Sequence, residues 1–365
     1  MNFRIFGYDQ NDLPGTLINL KAFGISSVVG HGDPEGARFF SENGIRYYAV
    51  HGCFFINESI DSPENYSVDI TGKRTKWFSS ACPNSPAAVE KCLLEAKKLA
   101  AVPGVSGVII DGARYASPMC AEGPEAFFIC FCDRCTAKMN ELGLSVDIIR
   151  SAVSALYEHC KTGRGFDPSI HTDGIKEWLL FRRLIITRHL KNYAERIKET
   201  DPAIEAGMYI FTPSLSVLVG QSYADLSEVF DFLSPMLYRH YEQPVGTACF
   251  DHELTALLKN IEYLSEEEKQ PILELYEELT GLPFKSMPSI CQLKKDGCPV
   301  SFIENEICLA NKLAGNKTNI FPIFMLKDRY LNNYVQTCRE NEINSIDFFI
   351  YEKEMLKYLE GTKYA

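Results

Sequence analysis

The sequence has no long hydrophobic run, no excess of basic residues and no glycine-rich nucleotide fingerprint. No apolar stretch reaches the roughly 18 residues that a membrane-spanning helix needs. The 48 Asp and Glu residues outnumber the 37 Lys and Arg residues, giving a net charge of −11, which argues against binding to nucleic acid or to an anionic membrane surface. No basic region followed by an apolar one opens the chain, so no signal peptide is expected and a cytoplasmic location is predicted.

Cysteine, by contrast, is plentiful. The chain carries 13 cysteines, an odd number, without a recognisable export signal. Such cysteines are expected to stay reduced, and metal binding is the special use that this setting favours. The remaining composition, with 46% hydrophobic and 23% charged residues, is that of an ordinary globular protein. It excludes a mainly disordered or fibrous chain.

Eight short apolar runs, rich in β-branched and aromatic residues, recur along the chain with helical patterns between them. Runs of this length are typical of buried parallel strands. Their alternation with helices predicts an α/β fold, a single (β/α)8 TIM barrel. An open doubly wound sheet is the second candidate, although no Gly-x-Gly-x-x-Gly follows the first run. The runs cover residues 3–8, 26–29, 45–50, 104–110, 203–211, 229–237, 319–326 and 346–350.

The spacers between these runs carry helix signals. Ser85 followed by Pro86 predicts a helix start, Thr172 opens a longer helix to about residue 200, and Ser265 precedes three acids at the start of another. Two spacers are long for a minimal barrel. Residues 1–365 are therefore predicted to form one domain, with helical insertions at about 115–172, after strand four, and 242–318, after strand six.

A dense cysteine cluster follows the fourth run. Cys130, Cys132 and Cys135 form a Cys-x-Cys-x-x-Cys pattern, in which three thiols can converge on one ion. Thiolates favour Zn²⁺ in a tetrahedral site, and a closed site is structural because it leaves no position for a catalytic water. Spacing alone leaves the fourth ligand open among Cys53, Cys82, Cys120 and Cys160.

Three segments in order resemble a known family. Residues 77–86 read Trp-Phe-Ser-Ser-Ala-Cys-Pro-Asn-Ser-Pro, residues 107–111 form a strand-like run, and the cysteine cluster follows. This order is similar to glycoside hydrolase family 42, the barrel β-galactosidases, in which a Cys-Pro-x-Ser-Pro segment precedes the fourth strand and a Cys-x-Cys-x-x-Cys segment follows it. The resemblance covers about residues 72–142. It implies a structural zinc held by Cys82, Cys130, Cys132 and Cys135.

The chain departs from that family where the family's catalytic residues stand. The family carries Asn-Glu at the end of strand four, with the Glu as general acid, whereas this chain has Asp111-Gly112-Ala113-Arg114-Tyr115. Residues 324–328, where the family has its nucleophile, contain no Glu. The segment 107–115 resembles instead the Asp-x-x-Arg-Tyr element of uncharacterised glycosidase-like barrels. The chain is thus interpreted as a divergent relative, onto which the family mechanism does not transfer.

Asp111 is the first candidate for catalysis. In TIM barrels the site lies at the C-terminal ends of the strands, and glycoside hydrolysis commonly needs two carboxyl groups. Arg114 is expected to lower the pKa of Asp111 and so to keep it ionised, as a nucleophile or base requires. The partner carboxylate is open among Glu352, Asp328 and Asp9, each of which follows a strand-like run.

Other polar side chains after the runs are candidates for binding substrate. Imidazoles and tyrosines can hydrogen-bond sugar hydroxyls, and tyrosine rings can pack on sugar faces. The predicted function is a glycoside hydrolase acting on a small glycoside or oligosaccharide, with no organic cofactor. The alternatives are a carbohydrate-binding barrel without catalysis and a barrel enzyme of other chemistry, such as an isomerase or lyase. The substrate-binding candidates are Asp9, His31, His51, Arg114, Tyr238, His240 and Tyr351.

Overall fold

Parallel strands form the centre of the molecule. The computed structural model of the chain describes residues 1–119, 123–239 and 249–362. Within them the predicted TIM barrel is confirmed, since each barrel strand pairs in parallel with its neighbour. The barrel strands are β1 (Asn2–Phe6), β2 (Ile25–Gly30), β3 (Arg46–Gly52), β4 (Val105–Asp111), β5 (Glu205–Ile210), β6 (Phe232–Pro235), β7 in two segments (Asn319–Ile320 and Ile323–Met325) and β8 (Ser345–Phe349).

The ring closes in two places that join distant parts of the chain. β1 pairs with β8 through Asn2 opposite Ser345 and the three pairs that follow. β6 pairs with the first segment of β7, and a further parallel bridge joins Met236 to Ile323 in the second segment. Phe321 and Pro322 separate the two segments of β7, because proline has no N–H to donate to the ladder.

Helices surround the barrel and fill two insertions. The insertion after β4 holds α4 and α5 and leads into the long α6, and the insertion after β6 holds α8 to α11. No helix within the described ranges is both long and apolar enough to cross a bilayer. The helices are α1 (Leu13–Ala22), α2 (Pro34–Glu42), α3 (Pro86–Ala100), α4 (Asp133–Glu141), α5 (Val146–Thr162), α6 (Pro168–Thr200), α7 (Tyr223–Leu226), α8 (Phe250–Lys259), α9 (Glu266–Thr280), α10 (Ile290–Asp296), α11 (Val300–Ala314) and α12 (Leu331–Glu340).

Local capping explains where these helices begin. The Ser85 hydroxyl accepts the N–H of Ala88 at the start of α3, and Ser265 forms a capping box with Glu268 at the start of α9. The expected start of α6 at Thr172 is wrong by one turn. The Asp167 carboxylate caps the helix by accepting the N–H of Ser169, and Pro168 takes the first helical position.

A charged pair lies in the barrel interior. The Arg4 guanidinium donates to the Asp347 carboxylate, with 2.7 Å from Nε to Oδ1, and to the Ser234 hydroxyl at 2.9 Å. Its carbon lies 4.6 Å from the centre of the Tyr48 ring and 4.3 Å from that of Phe232. Strands β1, β3, β6 and β8 are thereby tied together below the mouth of the barrel.

Candidate active site and metal centre

Asp111 is the last residue of β4 and faces the mouth of the barrel. A side chain at Gly107, earlier in the same strand, would meet the ring of Tyr48, which lies inside the barrel beside Arg4. Strand alternation therefore directs Asp111 inward as well. The N–H of Gly112 donates to its carboxylate at 2.7 Å, and the side chain is half-buried.

Aromatic rings line the barrel below and beside this carboxyl group. The ring of Phe6 lies 5.7 Å from that of His31, 5.1 Å from Phe349 and 6.4 Å from Tyr209, measured between centroids. Tyr238 lies 5.4 Å from Phe349. Burial, together with nearby charges that include Asp111, raises the pKa of both tyrosines, which therefore stay protonated. The space beside Asp111 is thus bordered by aromatic rings, and the two tyrosines are almost fully buried.

Arg114 lies beside this mouth, buried between two aromatic rings. Its guanidinium carbon lies 4.4 Å from the centre of the Trp77 ring and 4.6 Å from that of Phe211, and the residue is buried. Burial raises the pKa of Asp111, and the charges of Arg114 and His31 act against that shift. The net shift is upward, opposite to the expectation from the sequence, because the expectation took no account of burial at the strand end.

The second insertion contains a buried glutamate, Glu253, that the sequence does not single out. Glu253 on α8 is inaccessible to solvent, and its Oε2 atom accepts the N–H of Met119 at 2.9 Å. Burial raises the pKa of Glu253 to about 7, against the charge of Arg114. Arg114 therefore acts on two carboxyl groups, Glu253 and Asp111. The sequence carries no signal for this glutamate, since it lies inside an ordinary amphipathic helix.

The other carboxylate candidates lie in different surroundings. The side chain of Asp328 is buried, with Oδ2 at 3.4 Å from Nε of Arg239 and Oδ1 accepting the N–H of Tyr330 at 2.9 Å. Glu352 is about half exposed, 4.0 Å from the ammonium of Lys327. Asp328 is therefore engaged in an internal ion pair, whereas Glu352 stands at an open rim.

Some of the remaining candidates for substrate binding lie at the mouth of the barrel, and others do not. His31 lies at the mouth, near the Phe6 ring, together with Arg114 and Tyr238. The exposed Asp9 accepts the N–H of Asn11 at 2.9 Å in its own turn. Tyr351 accepts the side-chain amide of Asn19 at 3.2 Å. His240 lies outside the described residues.

His51 faces away from the mouth. Its Nε2 atom lies 3.5 Å from Oε2 of Glu95 on α3, and its ring stacks on Tyr193 of α6 at 5.9 Å between centroids. The side chain therefore lies on the outer surface of β3, between the strand and two helices. Adjacent residues of a strand point to opposite sides, so Gly52 rather than His51 has the inward position.

Four cysteines from separate segments meet at one point. The sulfurs of Cys82, Cys130, Cys132 and Cys135 all lie within 4.8 Å of one another, and all four residues are buried. Cys82 Sγ lies 3.4 Å from that of Cys135, 3.6 Å from that of Cys130 and 3.7 Å from that of Cys132. Zinc–sulfur bonds of about 2.3 Å in a tetrahedron place the sulfurs about 3.8 Å apart. The geometry suits a metal ion held by four thiolates.

Backbone and amide donors surround these sulfurs as negative thiolates require. The N–H of Val68 donates to Cys130 at 3.4 Å, and the side-chain amide of Asn84 donates to Cys135 at 3.3 Å. Outer donors of this kind orient metal ligands and offset their charge. The group joins the segment before α3 to the start of α4, and so anchors the insertion after β4.

A cavity of about 1030 Å³ lies between the two insertions. Apolar and aromatic side chains form much of its lining, with polar groups interspersed, as in many small-molecule sites. Met119 and Asp251 belong to the lining, and they adjoin Glu253 along the chain or by hydrogen bond. Residues of both insertions thus enclose a cavity that lies next to Arg114 and Glu253. Other lining residues are Tyr157, His252, Lys259, Tyr263 and Leu293.

No family model matches the sequence, and no curated protein matches it. Among solved structures the chain is similar to the PgaB (BpsB) glycoside hydrolase domain from Bordetella bronchiseptica, with a TM-score of 0.56 and 11% identity over 99% of this chain and 97% of that one. It is also similar to a β-galactosidase from Marinomonas ef1, with a TM-score of 0.57 and 10% identity over 99% of this chain and 59% of that one.

A third likeness is to the catalytic domain of a β-amylase from Paenibacillus polymyxa, with a TM-score of 0.56 and 10% identity over 96% of this chain and 92% of that one. At such low identity these likenesses establish the fold, a barrel of the kind these glycosidases have. The finer resemblance of residues 72–142 to family 42 stays a prediction.

Proposed function

We propose that the protein is a glycoside hydrolase that acts on a small glycoside or oligosaccharide at the C-terminal face of the barrel, with Asp111 as one of two carboxyl groups. The observation that carries this proposal is the position of Asp111, at the end of β4 among the rings of Phe6, Tyr209 and Tyr238. The barrel fold shared with solved glycosidases supports it by analogy.

The chemistry follows from the environments of the carboxyl groups. One group protonates the leaving oxygen while the other attacks the sugar carbon or activates water. The raised pKa of Asp111 keeps its proton to higher pH, which suits the proton donor. The partner is then an ionised group, and the exposed Glu352 and the paired Asp328 are the candidates from the sequence. Glu253 joins them as a buried third candidate.

We assign substrate contacts first to the residues at the mouth. His31 and Tyr238 offer hydrogen-bonding groups, and Arg114 sets the charge beside Asp111. Asp9 and Tyr351 are proposed for the outer rim, and His51 for support of β3. His240 stays a proposed substrate contact from the sequence alone. The metal centre of Cys82, Cys130, Cys132 and Cys135 is proposed to bind zinc. Four thiolates leave that ion no open position, so its contribution is structural.

The test is turnover of a panel of 4-nitrophenyl glycosides by the wild-type protein and by Asp111→Asn. Loss of a catalytic carboxyl group is expected to lower kcat/KM by at least ~100-fold. Asp173→Asn removes an exposed carboxylate on α6 and is expected to leave turnover unchanged. Full activity of a folded Asp111→Asn protein on a hydrolysed substrate would exclude the proposal.

The same assay identifies the second catalytic carboxyl group, the partner of Asp111. Glu352→Gln, Asp328→Asn and Glu253→Gln are compared after their folding has been checked by circular dichroism. The true partner lowers kcat as strongly as Asp111→Asn does. Asp328→Asn is also expected to lower stability, because it breaks the pair with Arg239.

A second candidate is a carbohydrate-binding barrel without catalysis. The absence of Glu at the end of β4 and in residues 324–328 favours it. It predicts heat of binding with oligosaccharides in calorimetry and no release of reducing sugar. Release of reducing sugar that depends on Asp111 would exclude this candidate.

A further inference from the structure

Two thiols lie together on the outer surface of β3, away from the four-cysteine group. Cys53 and Cys92 are both buried, at 2% and 3% exposure, and both carry free thiols. They line a cavity of about 10 Å³ that also contacts His189 and Tyr193 of α6. A cavity of this size accommodates about one water-sized molecule.

The sulfur of Cys92 is surrounded by hydrogen-bond donors. The N–H of Phe54 donates to it at 3.0 Å, and the Cys53 thiol and the His51 imidazole lie close enough to act on its pKa. The Cys53 thiol, then His51 and the Phe54 N–H lower the pKa of Cys92 against the effect of burial. Burial raises the pKa of Cys53. Cys92 is thus the thiolate and Cys53 the thiol of the pair.

His51 is in turn oriented by its neighbours. Its Nε2 atom lies 3.5 Å from Glu95, which pairs with Lys91 on the same helix, and its ring stacks on Tyr193. A nucleophile beside an imidazole that is oriented by an acid is a recurrent arrangement for activating thiols. From β4, the charge of Asp111 also acts on Cys53.

Polar atoms with no partner surround the cavity. Within the described part of the chain, both ring nitrogens of His189 and the hydroxyl of Tyr193 are buried without a hydrogen-bond partner. Burial lowers the pKa of His189 to about 4, so its ring is neutral at pH 7. These buried atoms would gain a hydrogen bond from a small polar molecule admitted beside the thiols.

We propose that Cys92 and Cys53 form a reversible redox pair that reacts with hydrogen peroxide, as attacking and resolving cysteine respectively. The Cys92 thiolate attacks one peroxide oxygen, the O–O bond breaks, and hydroxide leaves and takes a proton to become water. Cys92 is then a sulfenic acid. The Cys53 sulfur attacks it, gives up its proton, and displaces a second water as the disulfide forms. Two electrons pass from the two sulfurs to the peroxide. A small dithiol then reduces the disulfide back to the two thiols by exchange and is itself oxidised to a disulfide.

The pair is linked to the barrel mouth through the backbone. The N–H of Cys53 donates to the carbonyl oxygen of Asp111 at 2.8 Å. This hydrogen bond joins the backbone of Cys53 directly to the last residue of β4. The redox proposal itself is independent of the proposed hydrolase activity.

The experiment exposes the folded protein to hydrogen peroxide at pH 7, alkylates the remaining thiols and maps the peptides by mass spectrometry. A peptide pair joined through Cys53 and Cys92 is expected, and dithiothreitol should remove it. In Cys53→Ser the sulfenic acid of Cys92 should persist and be trapped by dimedone. His51→Gln should slow oxidation and move its pH profile upward, because a partner of the thiolate is lost.

The exposed Cys291 is the internal reference in each digest, and the four-cysteine peptides are followed separately. Oxidation of Cys291 without the Cys53–Cys92 link would refute the proposal. So would a link that forms only in unfolded protein, or a wild-type Cys92 that is oxidised while Cys53 stays free. Cys53→Ala replaces Cys53→Ser if the serine variant fails to fold.

Discussion

Arg4 is one member of a charged pair that is buried inside the barrel. Its guanidinium is buried between aromatic rings and donates through Nε and Nη2 to Asp347 and Ser234, while Nη1 has no hydrogen-bond partner. Burial raises the pKa of Asp347, and Arg4 opposes that shift. The carboxylate therefore depends on Arg4 as its counter-ion, and removing one partner leaves an uncompensated charge in the core.

We predict that Arg4→Met destabilises the protein by about 3–5 kcal/mol. The physical reason is the stranded Asp347 carboxylate, since methionine fills space without a charge. Urea unfolding followed by circular dichroism measures the change. The double variant Arg4→Met, Asp347→Leu is the control and is expected to recover most of the loss. An Arg4→Met protein as stable as wild type would contradict the role given to the pair.

At this scale the sequence indicates which residues follow a strand, but not which way they point. Asp111 and His31 come directly after apolar runs in the sequence, and in the structure both lie at the C-terminal ends of their strands. His51 follows its strand equally well and faces α3 instead, because a shift of one residue in strand phase reverses the side. The direction in which the pKa of Asp111 shifts could not be predicted from the sequence either, because the burial of this side chain depends on segments distant in the chain.

At the scale of the elements, the start of α4 is the helix terminus that carries ligands of the proposed metal centre. Cys132 precedes the first residue of this helix and Cys135 lies in its first turn, while Cys82 comes from the segment before α3. Thiolates near a helix N-terminus are favoured by its dipole. Without an ion, four buried thiols would be left close together with nothing to balance their charge once ionised.

We predict about one zinc per chain in the purified protein, and loss of that metal in Cys135→Ser. Loss of a ligand is expected to lower the free energy of unfolding by more than about 3 kcal/mol, because the insertion after β4 loses its anchor. Atomic absorption and thermal melting are the two measurements. Cys291→Ser, an exposed cysteine, should keep both the metal and the melting temperature. A metal-free wild-type protein of full stability would show the prediction to be wrong.

Most elements could be predicted because their signals are local. Strand positions follow from apolar runs, and the starts of α3 and α9 follow from Ser85 and Ser265. The start of α6 was missed because Asp167 and Pro168 form a cap one turn earlier than Thr172. The break in β7 at Pro322 was missed as well, since the apolar character of the run continues through it.

For the molecule as a whole, several buried carboxyl groups set the response of stability to pH. Burial raises the pKa of Glu306 to about 7 and that of Asp251 to about 6, and Glu253 behaves like Glu306. The unfolded chain releases these protons at lower pH than the folded chain does. Rising pH therefore favours unfolding across the interval between the two pKa values.

We predict that the free energy of unfolding falls as the pH rises from about 5 to 8, and that Glu306→Gln removes part of this fall. For Glu306 the pKa rises from an ordinary 4.5 to about 7, which corresponds to about 3 kcal/mol at full effect. Urea unfolding at several pH values measures it. Glu304→Gln, two residues away and only partly buried, should keep the wild-type slope. An equal slope in Glu306→Gln would contradict the prediction.

The closed barrel could be predicted from the alternation of runs, whereas the packing of the insertions could not. Glu253 reaches Met119 across more than a hundred residues of sequence, and no local pattern encodes such a meeting. The cavity between the insertions exists only because two separate segments pack side by side. Sites formed by long-range packing of this kind can be found only in the three-dimensional structure.

The order of the strands also bears on how the protein is made. β1 lies between β2 and β8, so the first strand of the barrel to be synthesised waits for the last barrel strand before its second edge is paired. During synthesis the growing chain thus carries an exposed strand edge, which invites pairing with other nascent chains. A stalled or truncated polypeptide that ends before residue 345 keeps this edge permanently open. Such fragments are expected to aggregate or to be degraded, whereas the released chain can close its barrel.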